Sequence, residues 1–258
     1  MPNHAGKKEW ILAIAVFSLL ALASRTEAGS KIILTKFSQM TDINARDSEM
    51  NGLARELGLT SASIPLAPAE PLGLVPGLDI GLGISVADIH DENAYWDDAV
   101  ADGNPKPVLI LPQISVRKGI PLGIDLGATY IPSVIGSNLS LVGAEVKWSF
   151  VKGSMLTPAL ALRVDYHHAF GASDFSLQTV STDISISKGF GPLKPYTGIG
   201  MDFIFFNPDA FTNLKKTDPR ELKGYAGVRI RLLLIQIVPE IDLARNFLIY
   251  SMKVGLIL

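Results

Sequence analysis

The stretch LSLVGAEVKWSFVKGSMLTPALALRVDYHH (139–168) decides the fold. In its first half Val142, Ala144, Val146, Trp148 and Phe150 alternate with Gly143, Glu145, Lys147 and Ser149. In its second half Leu160, Leu162, Val164 and Tyr166 alternate with Ala161, Arg163, Asp165 and His167. Period two puts each set on its own face of a β-strand. One face is apolar throughout, while the other carries full charges. The two faces therefore meet opposite solvents, lipid outside and a polar lumen inside, which is the pattern of a transmembrane barrel wall.

The same alternation continues in both directions. It predicts ten antiparallel strands, at about 76–88, 107–118, 121–132, 139–151, 155–168, 174–188, 194–206, 222–232, 236–244 and 247–258. Strands of roughly 9–11 residues cross a membrane at a tilt near 45°, whereas strands in soluble sheets run to about 5–6. The links alternate between short turns, such as Lys118–Pro121, Val151–Ser154 and Gly189–Pro192, and longer polar loops, such as His90–Lys106 and Asn207–Glu221. Short periplasmic turns and long external loops are the expected asymmetry. The run Leu232-Leu233-Leu234-Ile235 hides one turn, so eight or twelve strands also fit.

Of the 258 residues, 48% are hydrophobic and 19% charged, which excludes intrinsic disorder. A net charge of −2 excludes a generally basic nucleic-acid binder. The absence of cysteine excludes disulfides, thiolate metal sites and a Cys nucleophile. Residues 1–28 read as a secretory signal peptide. Lys7 and Lys8 precede the apolar run Trp10–Ala23, and cleavage is expected after Ala28, with Ala23 the alternative. Residues 29–75 alternate poorly and read as an N-terminal arm or luminal plug, with an extra strand as the alternative. Within them, 44–59 suits a short helix with Leu53 and Leu57 on one face, and 61–71 is rich in Ala and Pro. In the last strand Tyr250, Met252, Val254, Leu256 and Leu258 alternate to the carboxyl terminus. This resembles the C-terminal assembly signal of outer-membrane barrels. It implies the barrel assembly machinery as a partner, outer-membrane lipid as surroundings and the cell outer membrane as address.

LAPAEPLG (66–73), GLDIGLGIS (77–85), KGIPLGIDLGA (118–128), GAEVKW (143–148), TPALALR (157–163) and ISKGFGPLKPYTGIG (186–200) together resemble an uncharacterised family of proteobacterial outer-membrane β-barrel proteins. The resemblance spans most of 50–258 and implies an outer-membrane barrel. It carries no functional residues.

Strand parity sends Asp79, Asp125, Glu145, Asp165, Asp183, Asp202, Glu240 and Asp242 into the lumen, with Arg117, Lys147, Arg163, Lys223, Arg229, Arg231 and Lys253. A barrel this narrow leaves little more than side-chain space. These charges therefore read either as an ion-paired filling or as the lining of a narrow passive pore for ions or small solutes. In the first case the barrel is a structural or interaction protein whose surface loops carry the function. A rim hydrolase is the third reading, since Asp165 and His167 would share a face. No motif supplies a nucleophile, so no catalytic residue is assigned, and no cofactor or metal ligand set is expected. The loop His90–Lys106 holds Asp91, Glu92, Asp97, Asp98 and Asp102 at spacings that fit no Ca²⁺ loop, and reads as solvated. Its Tyr95-Trp96 pair is expected to meet the membrane surface or a partner.

Overall fold

The computed structural model describes residues 31–258 except 133, 135 and 136, so the expected leader 1–28 lies outside the described residues. Two helices come first, α1 (Thr35–Gln39) and α2 (Ile43–Ser61). Ten strands follow: β1 (Leu78–Asp88), β2 (Val108–Ile120), β3 (Ile124–Ile131), β4 (Ser140–Lys152), β5 (Ala159–Phe170), β6 (Phe175–Ser187), β7 (Leu193–Pro208), β8 (Arg220–Leu232), β9 (Ile235–Ala244) and β10 (Phe247–Ile257). A short helix, α3 (Ala94–Ala99), sits in the β1–β2 loop.

Every strand pairs antiparallel with its neighbours in sequence, and β1 pairs with β10 to close the ring. Closure removes the exposed edges that an open sheet would present. At the seam the register runs from Asp79 opposite Ile257 to Asp88 opposite Leu248. In β4–β5, Glu145 faces Asp165 and Lys147 faces Arg163, so inward charges line up across strands. Outward residues such as Val146, Val164, Ile199 and Leu222 are exposed and apolar. With so apolar a band on its outer face and charged residues on its inner face, the molecule is an antiparallel transmembrane β-barrel.

The expected strands hold to within a few residues, with two shifts. β5 starts at Ala159 rather than 155, because Gly153–Pro158 forms the preceding turn. The hidden turn falls at Leu233-Leu234, where Leu233 adopts φ +60°. The long loops and the termini of the sheet define two ends of the barrel. The loop end holds the β1–β2, β3–β4, β5–β6, β7–β8 and β9–β10 links. The turn end holds the others, together with the start of β1 and the end of β10.

Inside the wall the chain before β1 runs from one end to the other. Ile32 bridges Val100 in the β1–β2 loop, and the N–H of Leu34 donates to Asp174 in the β5–β6 loop. Helix α2 starts at Asp42, whose carboxylate accepts the N–H groups of Asn44 and Ala45, a normal N-cap. The helix buries Met50, Leu53, Ala54 and Leu57 against inward residues at the loop end of the wall, among them Leu111, Leu141, Leu177, Ile204, Phe206 and Ile249. Gly58 faces the Ile204 side chain so closely that a Cβ would collide with it. After Ser61 the chain is extended, and residues 62–69 are buried within the barrel down to the turn end, where β1 begins.

Candidate luminal site

The extended segment is SASIPLAPAEPLG (61–73), with Pro65, Pro68 and Pro71 at every third position. Each proline removes an N–H donor and leaves its carbonyl. An extended chain cannot satisfy those carbonyls itself, and burial makes an unpaired one costly. The wall supplies the donors. Lys223 Nζ donates to Ser63 O at 2.9 Å, Arg117 Nη2 to Pro65 O at 2.8 Å, and Arg163 Nη2 to Ala67 O at 3.3 Å. Lys147 Nζ donates to Pro68 O at 3.0 Å and to Glu70 O at 2.9 Å, and Ser149 Oγ donates to Ala69 O at 2.6 Å. Two of the surviving N–H groups meet acids: Leu66 N–H donates to Glu240 at 2.9 Å, and Leu72 N–H to Asp125 at 3.1 Å, while Ser63 N–H donates to Ser181 Oγ at 3.4 Å. Leu66 has φ +44°, an uncommon conformation for a residue with a Cβ, held where its N–H meets Glu240.

The same side chains pair with one another. Lys147 lies 2.9 Å from Asp125, Lys223 2.8 Å from Asp202, and Lys253 2.9 Å from Asp79. Arg117 grips Glu145 through two hydrogen bonds, and Arg163 Nε lies 3.8 Å from Asp183, which also accepts the Tyr225 hydroxyl at 2.6 Å. Tyr196 donates to Glu240. At the turn end Glu70 pairs with both Arg229 and Lys194. Buried ion pairs roughly break even against their desolvation. Here the luminal cations gain a second set of acceptors from the threaded backbone, and the two tasks are done by one set of charges.

All of the parity-assigned residues lie buried inside the wall except Arg231. Arg231 is exposed at the turn end and donates Nε to Leu233 O at 2.9 Å. The reason is position along the strand: β8 ends one residue later, beyond the depth at which the threaded segment needs a donor. His167 is buried and faces inward, and its ring covers Gly143 across the ladder, where a Cβ would strike it. His167 Nδ1 and Asp165 Oδ2 have no hydrogen-bond partner among the described residues, so the pair is not arranged as base and orienter. His168 points the other way, edge-on to Phe170 with ring centres 4.5 Å apart. No group of His, Asp or Glu among the described residues is placed to hold a metal ion. Beside the segment, a cavity lined by Leu59, Ser63, Asp202, Lys223 and Asp242 has a volume of about 10 Å³, room for one water.

The loop end is fastened by a residue that strand parity could not reach. Glu56 lies on α2 and is only 5% exposed. It accepts from Trp96 Nε1 at 2.8 Å, the Tyr95 hydroxyl at 2.8 Å and the His90 backbone N–H at 3.2 Å, and pairs with His90 Nδ1 at 2.7 Å. Tyr95 and Trp96 thus dock on the chain's own helix instead of a membrane surface or partner, because Glu56 gives their polar ends a partner inside. Burial, and then the Glu56 carboxylate, push the Tyr95 phenol well above its ordinary range. The signal in the sequence was an acid one turn from Leu53 and beside Leu57, on the apolar face of a predicted helix. Arg55 next to it pairs with Glu221 at the start of β8.

These features define a class: a transmembrane β-barrel whose lumen is occupied by its own N-terminal segment. No family model matches the chain, and no curated protein does. Among solved structures it is similar to a de novo designed transmembrane β-barrel, with 11% identity and a TM-score of 0.31 over 74% of this chain and 96% of that one. It is also similar to Neisserial surface protein A (13% identity, TM-score 0.29, 70% and 96% covered) and to Ail, the attachment invasion locus protein of Yersinia pestis (12%, 0.24, 69% and 94%). At such identities the likeness concerns the fold and assigns no activity to this chain.

Proposed function

We propose that this is an outer-membrane barrel held closed by residues 61–73, acting as a structural or interaction protein through its loop end rather than as an open pore. The observation that carries this reading is the set of hydrogen bonds from Arg117, Lys147, Ser149, Arg163 and Lys223 to the backbone of that segment. Passive passage of solutes would need that segment to leave, and each bond to it would have to be exchanged for water. The charges Asp79, Asp125, Glu145, Asp183, Asp202 and Lys253 then serve as luminal ion pairs and not as a selectivity lining. Export through the N-terminal leader, delivery to the outer membrane, and insertion by the barrel assembly machinery through β10 complete the proposal. Short turns face the periplasm in it, and the α2–α3 cap faces outward.

Planar-bilayer recording of the refolded full chain, using protein whose gel mobility shifts on heating, tests it. The full chain is expected to be silent, and a chain lacking residues 62–72 to conduct in discrete steps. Reproducible steps from the full chain, altered by Arg229→Gln, would overturn the closed reading in favour of a pore.

A further inference from the structure

The two ends of the barrel differ in a way that a pair of water-facing rims would not. At the turn end nearly every link carries a large apolar side chain at its tip. Leu122 is 79% exposed, Met155 95%, Leu156 90%, Phe190 62%, Leu233 90%, and Val75, just before β1, 94%. At the loop end Ile43, at 55%, is the exposed large apolar residue outside the strands among the described residues. The charges differ as well. Most loop-end cations meet carboxylates: Lys36 with Asp98, Arg55 and Arg245 with Glu221, Arg46 and Lys215 with Asp47, Lys216 with Asp218, whereas Arg220 lies over the Phe203 ring and Lys31 and Lys106 have no ion pair among the described residues. At the turn end Lys194 and Arg229 share Glu70, which among the described residues is the one acidic side chain reaching that surface. The other turn-end cations meet no carboxylate: Lys118 and Lys188 donate to turn carbonyls, as does Arg231, and Lys152 has no hydrogen bond or ion pair among the described residues.

Cations without counter-charges, interleaved with exposed apolar tips, suit the boundary between anionic headgroups and acyl chains. The β4–β5 and β6–β7 turns also enclose a cleft of about 300 Å³, lined by Lys152, Ser154, Met155 and the Glu70–Lys194 pair, in which Glu70 is already held by two cations. Lys188 crosses between the same two turns to the carbonyls of Ser154 and Met155. We propose that the turn end binds the phosphate of an anionic phospholipid in the leaflet it faces, with Lys152 and Lys188 around the headgroup and Met155, Leu156 and Phe190 among the acyl chains. The surface continues the lipid-facing wall without a break, which is why a lipid, and not free phosphate or a protein, is the occupant. The inference rests on the transmembrane fold and is independent of whether the lumen is closed.

Trp148 reports on it directly: it faces outward on β4, four residues from Lys152, whereas Trp96 is buried in the cap. The full chain is reconstituted in phosphatidylcholine vesicles containing brominated phosphatidylglycerol, or brominated phosphatidylcholine, and Trp148 quenching is compared. Preferential quenching by the anionic lipid is expected. It should fall roughly fivefold for each cation removed, the equivalent of about 1 kcal/mol per basic residue at a membrane surface. Lys152→Gln, which breaks no contact, is the first variant, and Lys152→Gln with Lys188→Gln the second. Lys215→Gln with Lys216→Gln at the loop end should leave the preference intact. Equal quenching by the two lipids, or a preference that survives in Lys152→Gln, overturns the proposal. So does loss of the preference in excess inorganic phosphate at constant ionic strength, which would mean a free-anion site.

Discussion

The upper and lower halves of the lumen solve opposite problems. Near the loop end the wall turns Leu111, Leu141, Leu177, Ile204 and Phe206 inward, and it holds a helix. Towards the turn end it turns Arg117, Lys147 and Arg163 inward, and it holds an extended, proline-rich length of chain. A helix satisfies its own backbone, so its socket has only to be apolar. An extended segment with its N–H groups removed by proline leaves carbonyls to be satisfied from outside. The composition of the wall thus follows the backbone state of what lies within it.

The comparison can be broken at its charged half first. Lys147→Met leaves Asp125, Pro68 O and Glu70 O without their shared donor, the first two fully buried and the third half-buried. We expect a loss of about 3–5 kcal/mol, the usual cost of breaking one side of a buried pair, read as a lower urea midpoint of the heat-modifiable form. The cost should drop well below that in Lys147→Met with Asp125→Leu, where no charge is stranded. At the apolar half, Glu56→Ala orphans Trp96 Nε1, the His90 N–H and the Tyr95 hydroxyl. The expected loss is about 3 kcal/mol, accompanied by a red shift of Trp96 emission. If the red shift appears without any change in bilayer conductance, the two halves are energetically separate, and a conductance change would show them to be coupled.

A smaller effect is expected from Tyr95→Phe, about 1 kcal/mol for one hydrogen bond to a charged acceptor. The same phenol supplies a pH test. Its affinity for a proton is raised in the folded state by burial and by Glu56. The stability it contributes is therefore complete below the ordinary tyrosine range and is lost as pH climbs beyond about 10. Trp96 emission should shift there in the parent protein, and the shift should be blunted in Tyr95→Phe. Last, Lys216→Gln on the solvated β7–β8 loop, where the ammonium pairs with Asp218 and lies 5.8 Å from the centre of the Phe205 ring, should change stability by less than about 0.5 kcal/mol.

The sequence made the wall readable because a membrane barrel exposes its two faces to different solvents. Alternation is written in β4 from Val142 to Phe150 and in β5 from Leu160 to Tyr166. The turn between β8 and β9 was unreadable for a local reason. Leu233 takes a left-handed conformation that glycine or asparagine usually marks, in a run with no polar punctuation. Helix α2 was legible from Leu53 and Leu57, but its docking was not, since Glu56 finds His90 and Trp96 through contacts spanning tens of residues. The role of the prolines was equally hidden. Pro65, Pro68 and Pro71 announce an extended chain, whereas the match between their carbonyls and Arg117 or Lys147 exists only once the ring has closed. Parity placed Arg231 by face and could say nothing about depth.

The order of the chain along the barrel also constrains how the molecule is made. The segment that fills the lumen precedes β1, and β1 closes the ring by pairing with β10, the last strand. A 19-residue helix followed by a proline-rich tail cannot be drawn through a finished ring of this width. The filling must lie against the inner face while the wall is still an open sheet, and the β1–β10 seam must zip around it. The luminal cations are then the template on which the segment is laid, and seam formation is the step that commits the chain to a single arrangement.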